Sequence, residues 1–315
     1  MSDRPVQLAS GESTGRLQKV IGSRFHLPYF SPAGYVRAVL ADAREALLRV
    51  ARDRAALAVI ILFLLPWWSL IFLRQNAEWV YSFGEIVPVV LVFWWMSRSG
   101  AAALPEIKHP ALEAVLAIAL VLIWVEWRTA ICGKLLPFLP SDLKCFDNWE
   151  FEIIPKLIEM TLFPIILLRA MGHNLRSQGL TVNLRAWWIA LPVLLATGVY
   201  GLYLHHDKLL PFLQRIGNFF FGAGLPEEYL FRAFLLTRLE AWWRRPGWAL
   251  FGSAVIFGLS HLSIDYLVFT NRNWRETWIT ALTFQMGFGF AFGFAYQRTR
   301  NIWPIALLHA IVDAL

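Results

Sequence analysis

Apolar residues run through this chain in long blocks separated by short polar stretches, and that alternation predicts helices. Residues 55–73 form 19 consecutive positions without a charge, bracketed by Arg54 and Arg74. At ~1.5 Å per residue such a block is long enough to cross a ~30 Å hydrocarbon core. Further apolar segments follow at 79–96, 111–127, 151–168, 187–204, 209–239, 248–261, 277–296 and 302–315. The segment 151–168 carries Glu152, Lys156 and Glu159, and the last is short, so about eight crossings are expected. Upstream, residues 1–54 hold nine Lys/Arg, and Val36, Val39, Leu40, Ala43 and Leu47 recur at helical spacing. That pattern predicts a basic tail leading into an amphipathic helix.

Composition agrees with the pattern. Hydrophobic residues make up 57% and charged residues 16%, with a mean hydropathy of +0.51, whereas about a quarter of a soluble domain is charged. Disordered, collagen-like and disulfide-stapled chains are excluded. The 16 Trp, 24 Phe and 8 Tyr suit membrane interfaces. The expected fold class is all-α, a polytopic transmembrane helical bundle in contact with the lipid bilayer.

The net charge of +7 does not point to nucleic acid, because the cations are spread between apolar runs instead of forming one patch. Topology explains them better: with the N-terminus inside, 19 Lys/Arg fall on the inner side and 9 on the outer, Lys156 counted among the outer and Arg238 among the inner. A multi-pass protein of a bacterial cytoplasmic membrane with a cytoplasmic N-terminus is expected. Asp3, Arg4, Glu12 and Arg16 leave no early apolar core, so no cleavable signal peptide is expected. Two cysteines, Cys132 and Cys145, are too few for a disulfide framework or a Cys-rich zinc site; they are either unrelated thiols or a single bridge in an outer loop.

Ionisable side chains inside a crossing are costly and mark functional sites by default. Three such places lie in the last third. Residues 222–232 read Gly-Ala-Gly-Leu-Pro-Glu-Glu-Tyr-Leu-Phe-Arg. Gly222 and Gly224 permit a break, Pro226 suits a first helical position, and Glu227 and Glu228 would then lie in a first turn, where the helix dipole favours carboxylates. Glu228 and Arg232 are four residues apart and read as a structural ion pair, which leaves Glu227 unpaired and available for proton transfer. His261 lies near the end of an uncharged run, and His309 and Asp313 share one helical face. Counting the helical rise from the nearest inner loop puts Glu227, His261 and His309 near mid-membrane.

These residues resemble the CAAX prenyl endopeptidase and bacteriocin-processing (CPBP, or Abi) family, which includes the Ras-converting enzyme. The family pattern is Glu-Glu-x-x-x-Arg, Phe-x-x-x-His and His-x-x-x-Asn in that order on separate helices. Here it reads Glu227, Glu228 and Arg232; Phe257 and His261; His309, with Asp313 in the Asn place. The likeness covers residues 187–315. Together with the charge pattern and the earlier apolar runs, the expected organisation is a basic cytoplasmic tail at 1–54, N-terminal membrane helices at 55–186 and a catalytic core at 187–315.

The resemblance implies a glutamate-type intramembrane endopeptidase without a cofactor. Glu227 and His261 would activate a water against a peptide bond of a membrane-anchored protein or peptide, and His309 with residue 313 would stabilise the oxyanion. Asp313 departs from the pattern, because a carboxylate donates no hydrogen bond unless protonated. It is expected instead to accept a ring N–H of His309 and orient it; the bland alternative is a solvated residue without a role. Two other functions stay open. Two His and two Glu could hold Zn²⁺ in a metalloprotease, although no His-Glu-x-x-His occurs. A non-enzymatic membrane scaffold or immunity protein could use the polar cavity for binding. Elsewhere, His205 and His206 read as a solvated turn and Glu113 as an inter-helix pair or a snorkelling residue. Gly287, Gly289 and Gly293 read as sites of close helix approach.

Overall fold

A computed structural model describes residues 78–97, 102–132, 149–180 and 182–315, and among them every regular element is helical. The amphipathic helix and first crossing expected within residues 1–73, and the thiols of Cys132 and Cys145, lie outside what is described. Helix α1 is Glu78–Met96 and α2 is Pro110–Cys132. Helix α3 begins as Trp149–Lys156, widens into a π-helical stretch at Leu157–Leu162 and ends as Phe163–Ala170. Helix α4 is Leu184–Leu204. Helix α5 occupies residues 209–243, α6 is Pro246–Ser260 with a short continuation beyond His261, α7 is Trp274–Thr299 and α8 is Trp303–Ala314. Leu184–Leu204, Pro246–Leu267 and Trp274–Thr299 are long and apolar enough to cross a membrane, and shorter apolar helices accompany them at Ile86–Met96, Pro110–Trp124 and Trp303–Ala314. Among the described residues the fold is all-α, that of a membrane protein.

Large apolar side chains point outward in rows. Ile154, Ile158, Leu162 and Ile166 recur every four residues along α3, and Trp188, Leu191, Leu195, Val199 and Leu202 recur every three or four along α4. A face of this size would drive association in water, but lipid chains solvate it.

Helix α5 is the opposite case: every residue from Gly222 to Glu240 is buried. The break expected at Gly222 and Gly224 does not occur. The backbone stays helical through π-helical stretches at Phe220–Gly224 and Glu228–Leu236 that flank Leu225–Glu227. Pro226 has no N–H and its ring crowds the carbonyl four residues back, and a widened turn relieves that conflict without ending the helix. Glu227 therefore sits within a continuous rod, and the dipole argument for its position falls away.

Glycine sets the spacing between rods. A Cβ on Gly224 would stand 2.4 Å from the Ala306 carbonyl oxygen, so α5 and α8 touch backbone to backbone there. The approach expected on α7 is observed at Gly289, whose Cβ would lie 3.1 Å from Phe257, and at Gly293, 2.7 Å from Leu250 Cδ1.

Buried charges tie distant rods together. Glu113 on α2 lies 2.8 Å from Nε2 of His173 through one oxygen and accepts from Arg238 Nε at 3.0 Å through the other. It is thus an inter-helix pair, and Arg238 is a sealed interior cation instead of the loop charge expected. Arg300 donates to Glu240 at 2.7 Å, and Arg298 holds the end of α1 through the Ser97 carbonyl at 2.8 Å. His205 and His206 do form a turn, with His206 exposed.

Candidate active site

The three motifs read from the sequence converge where α5 meets α3, α6 and α8. Arg232 is 1% exposed, and its Nε lies 3.1 Å from Glu228 Oε2. Its guanidinium carbon stands 4.3 Å from the centre of the Phe257 ring, with Phe292 and Phe231 at 5.8 and 5.9 Å. A cation enclosed by ring faces keeps electrostatic attraction without water. The expected pair is present, and it does more than neutralise charge: Glu228 Oε1 also accepts from His309 Nδ1 at 2.8 Å.

That contact adds a second carboxylate to the one expected at His309. The carboxylate holding the Nδ1 side of His309 is Glu228, whereas Asp313 Oδ2 stands 3.4 Å from Nε2 and its side chain is 31% exposed. Carboxylate oxygens thus face both ring nitrogens, an arrangement that suits two N–H donors.

His261 follows the last turn of α6. Its Nδ1 is 2.8 Å from the Phe257 carbonyl, which only accepts, so Nδ1–H is the donor and Nε2 is turned toward Glu227. The Phe-x-x-x-His spacing now has a physical reason. One residue supplies a ring over Arg232 and a carbonyl that fixes the imidazole one turn later, with ring centres 4.5 Å apart. Replacing Phe257 by Leu removes the ring and is expected to lower stability by about 1–2 kcal/mol, seen as a lower unfolding midpoint of the purified protein in detergent.

Glu227 is 5% exposed and is not the unpaired carboxylate that spacing suggested. Its Oε1 faces Lys156 Nζ at 3.6 Å, and its Oε2 faces His261 Nε2 at 3.7 Å and His309 Nε2 at 4.0 Å. Sequence reasoning missed Lys156 by placing it among outer-side charges. The available signal was a lysine inside an apolar run, which needs a partner. It is 9% exposed and lies at the point where α3 widens, with its ammonium 5.9 Å from the Trp124 ring centre.

Separations of 3.6–4.0 Å exceed direct hydrogen bonds, so the carboxylate, two imidazoles and ammonium converge on common space instead of bonding one another. Chemically the set combines a proton acceptor with several donors for a negative oxygen. Among the described residues, no three His, Cys, Asp or Glu side chains are arranged to hold a metal ion.

Residues 208–315 match the family model described as Type II CAAX prenyl endopeptidase Rce1-like. No curated protein and no solved structure matches the chain. The matched third of the chain runs from the start of α5 through α8 and contains Glu227, Glu228, Arg232, Phe257, His261, His309 and Asp313, and it leaves Lys156 outside. The resemblance carried by those motifs is therefore borne out: residues 208–315 are similar to the Rce1-like type II CAAX prenyl endopeptidases.

Proposed function

We propose that the protein is a glutamate-type intramembrane endopeptidase acting on a membrane-anchored protein or peptide. The observation that carries this reading is the convergence of the Glu227 carboxylate with Nε2 of both His261 and His309, at 3.7 and 4.0 Å. Contacts of that length are suited to sharing one bridging oxygen. In the proposed reaction a water held by Glu227 and His261 attacks the peptide carbonyl carbon and its proton passes to Glu227. The carbonyl oxygen takes up negative charge and receives the Nε2–H of His309, which Glu228 orients through Nδ1. The C–N bond then breaks, and the proton on Glu227 passes to the leaving amine. Side chains alone carry these steps, with no cofactor. The proposed setting is a bacterial cytoplasmic membrane crossed about eight times, with a cytoplasmic N-terminal tail at 1–54 and the catalytic core at 187–315.

The test compares membrane proteomes of cells carrying wild-type protein and Glu227→Gln. A longer, unprocessed membrane precursor should accumulate with Gln, and purified wild-type protein should cleave that precursor with or without prior treatment with a strong chelator. Identical proteomes together with an inert wild-type protein would support a scaffold or immunity role instead, and activity abolished by the chelator would support a zinc site.

A further inference from the structure

We infer that Lys156 is a catalytic residue of this site, an ammonium donor to the developing oxyanion that replaces the donor Asp313 cannot supply. The inference rests on the hydrolytic reading above. His309 Nε2–H is a single donor, and the neighbouring family position, where Asn would offer an amide N–H, holds a carboxylate 3.4 Å from that same nitrogen. A carboxylate there competes with the oxyanion for His309 instead of assisting it. Lys156 brings the missing positive charge and three N–H donors from another direction.

Three observations place it for this role. Its Nζ faces Oε1 of Glu227, the oxygen turned away from the two imidazoles, so a carbonyl positioned beside Glu227 lies between ammonium and imidazole donors. Its side chain is 11% exposed, so the charge acts with little solvent screening. The ammonium stands 3.6 Å from the carboxylate, outside direct hydrogen-bond contact, and so keeps its N–H groups for an incoming oxygen. Lys156 lies on α3, outside the matched segment 208–315, so the N-terminal helices complete the site instead of merely surrounding it.

The experiment uses the full chain in liposomes and a peptide spanning the cleavage site of the precursor that accumulates with Glu227→Gln. Lys156→Met is expected to lower kcat about 100-fold with KM little changed, the effect of removing one oxyanion donor. Lys156→Arg should retain most activity. Adding Asp313→Asn to Lys156→Met should restore kcat about tenfold or more, because the new amide supplies the donor that ammonium had provided. Loss of a counter-ion that only balances Glu227 would be repaired equally by Asp313→Leu, which removes the same negative charge without supplying a donor.

Unchanged kcat in Lys156→Met would overturn the inference, and so would a loss that Asp313→Asn does not repair in protein with an unaltered unfolding midpoint. If Met at this position prevents folding, Lys156→Gln keeps a neutral donor and similar length. A Gln variant as inactive as Glu227→Gln, with or without Asp313→Asn, would overturn the inference equally. Failure of the hydrolytic reading looks different, since wild-type protein would then cleave nothing.

Discussion

Exchanging Arg232 for Met is expected to lower the stability of the folded protein by about 3–5 kcal/mol and to remove turnover with it. The magnitude follows from leaving one member of a fully buried ion pair without its partner. Glu228 is 0% exposed and has two neighbours that face its oxygens, the Arg232 guanidinium and the His309 ring. Removing the guanidinium strips away one of them and empties the space beneath Phe257. The double variant Arg232→Met with Glu228→Leu removes both charges together and should recover most of the stability, since a buried pair replaced by apolar side chains is often tolerated. It should stay inactive, because His309 Nδ1 loses its acceptor. Detergent unfolding midpoints of the two variants separate these outcomes. A single variant as stable as wild type would show that Glu228 is not held as the geometry indicates.

The second large effect concerns position without charge. Gly224→Ala would put a methyl group 2.4 Å from the Ala306 carbonyl oxygen, 3.2 Å from its carbon and 3.5 Å from the Ala310 nitrogen. All three are backbone atoms and cannot turn aside, so α8 must shift by about 1 Å relative to α5. His309 follows Ala306, and Glu227 follows Gly224, by the same three residues, so the shift falls directly on their separation. A displacement of that size costs roughly 100-fold in rate, with a stability loss of about 1–3 kcal/mol from overpacking. The expected signature is a fall in kcat from a protein that still folds, and wild-type kcat would show that this contact does not set the geometry.

Helix positions are legible from sequence here because lipid imposes a simple rule, long apolar runs between polar ends, and α1 through α8 follow those runs. The site motifs are legible for a related reason: each falls within one helical turn, so spacing alone states which side chains share a face. Contacts between rods have no such signature. Glu113 and Arg238 are 125 positions apart, and nothing in either segment says that they face each other. Lys156 could equally have been a charge reaching back toward water, and only the packing of α3 against α5 turns it toward Glu227. Gly-x-Gly-x-Pro similarly admits either a helix break or a widened turn. The choice was made by tertiary packing, which buries the whole stretch and rewards an unbroken rod that satisfies its own backbone.

The burial of α5 constrains how a polypeptide reaches the carboxylate it carries. From Gly222 to Glu240 this helix offers no face to the surroundings, so neither lipid nor a chain travelling within lipid meets it directly. The peripheral rods meet such a chain first, and α3 is the one that presents a row of outward isoleucines on one side and Lys156 on the other. Under the proposed hydrolysis, approach and chemistry therefore overlap: the buried post bears the carboxylate, and the neighbouring rods that such a chain meets first bring Lys156, His261 and His309 to it.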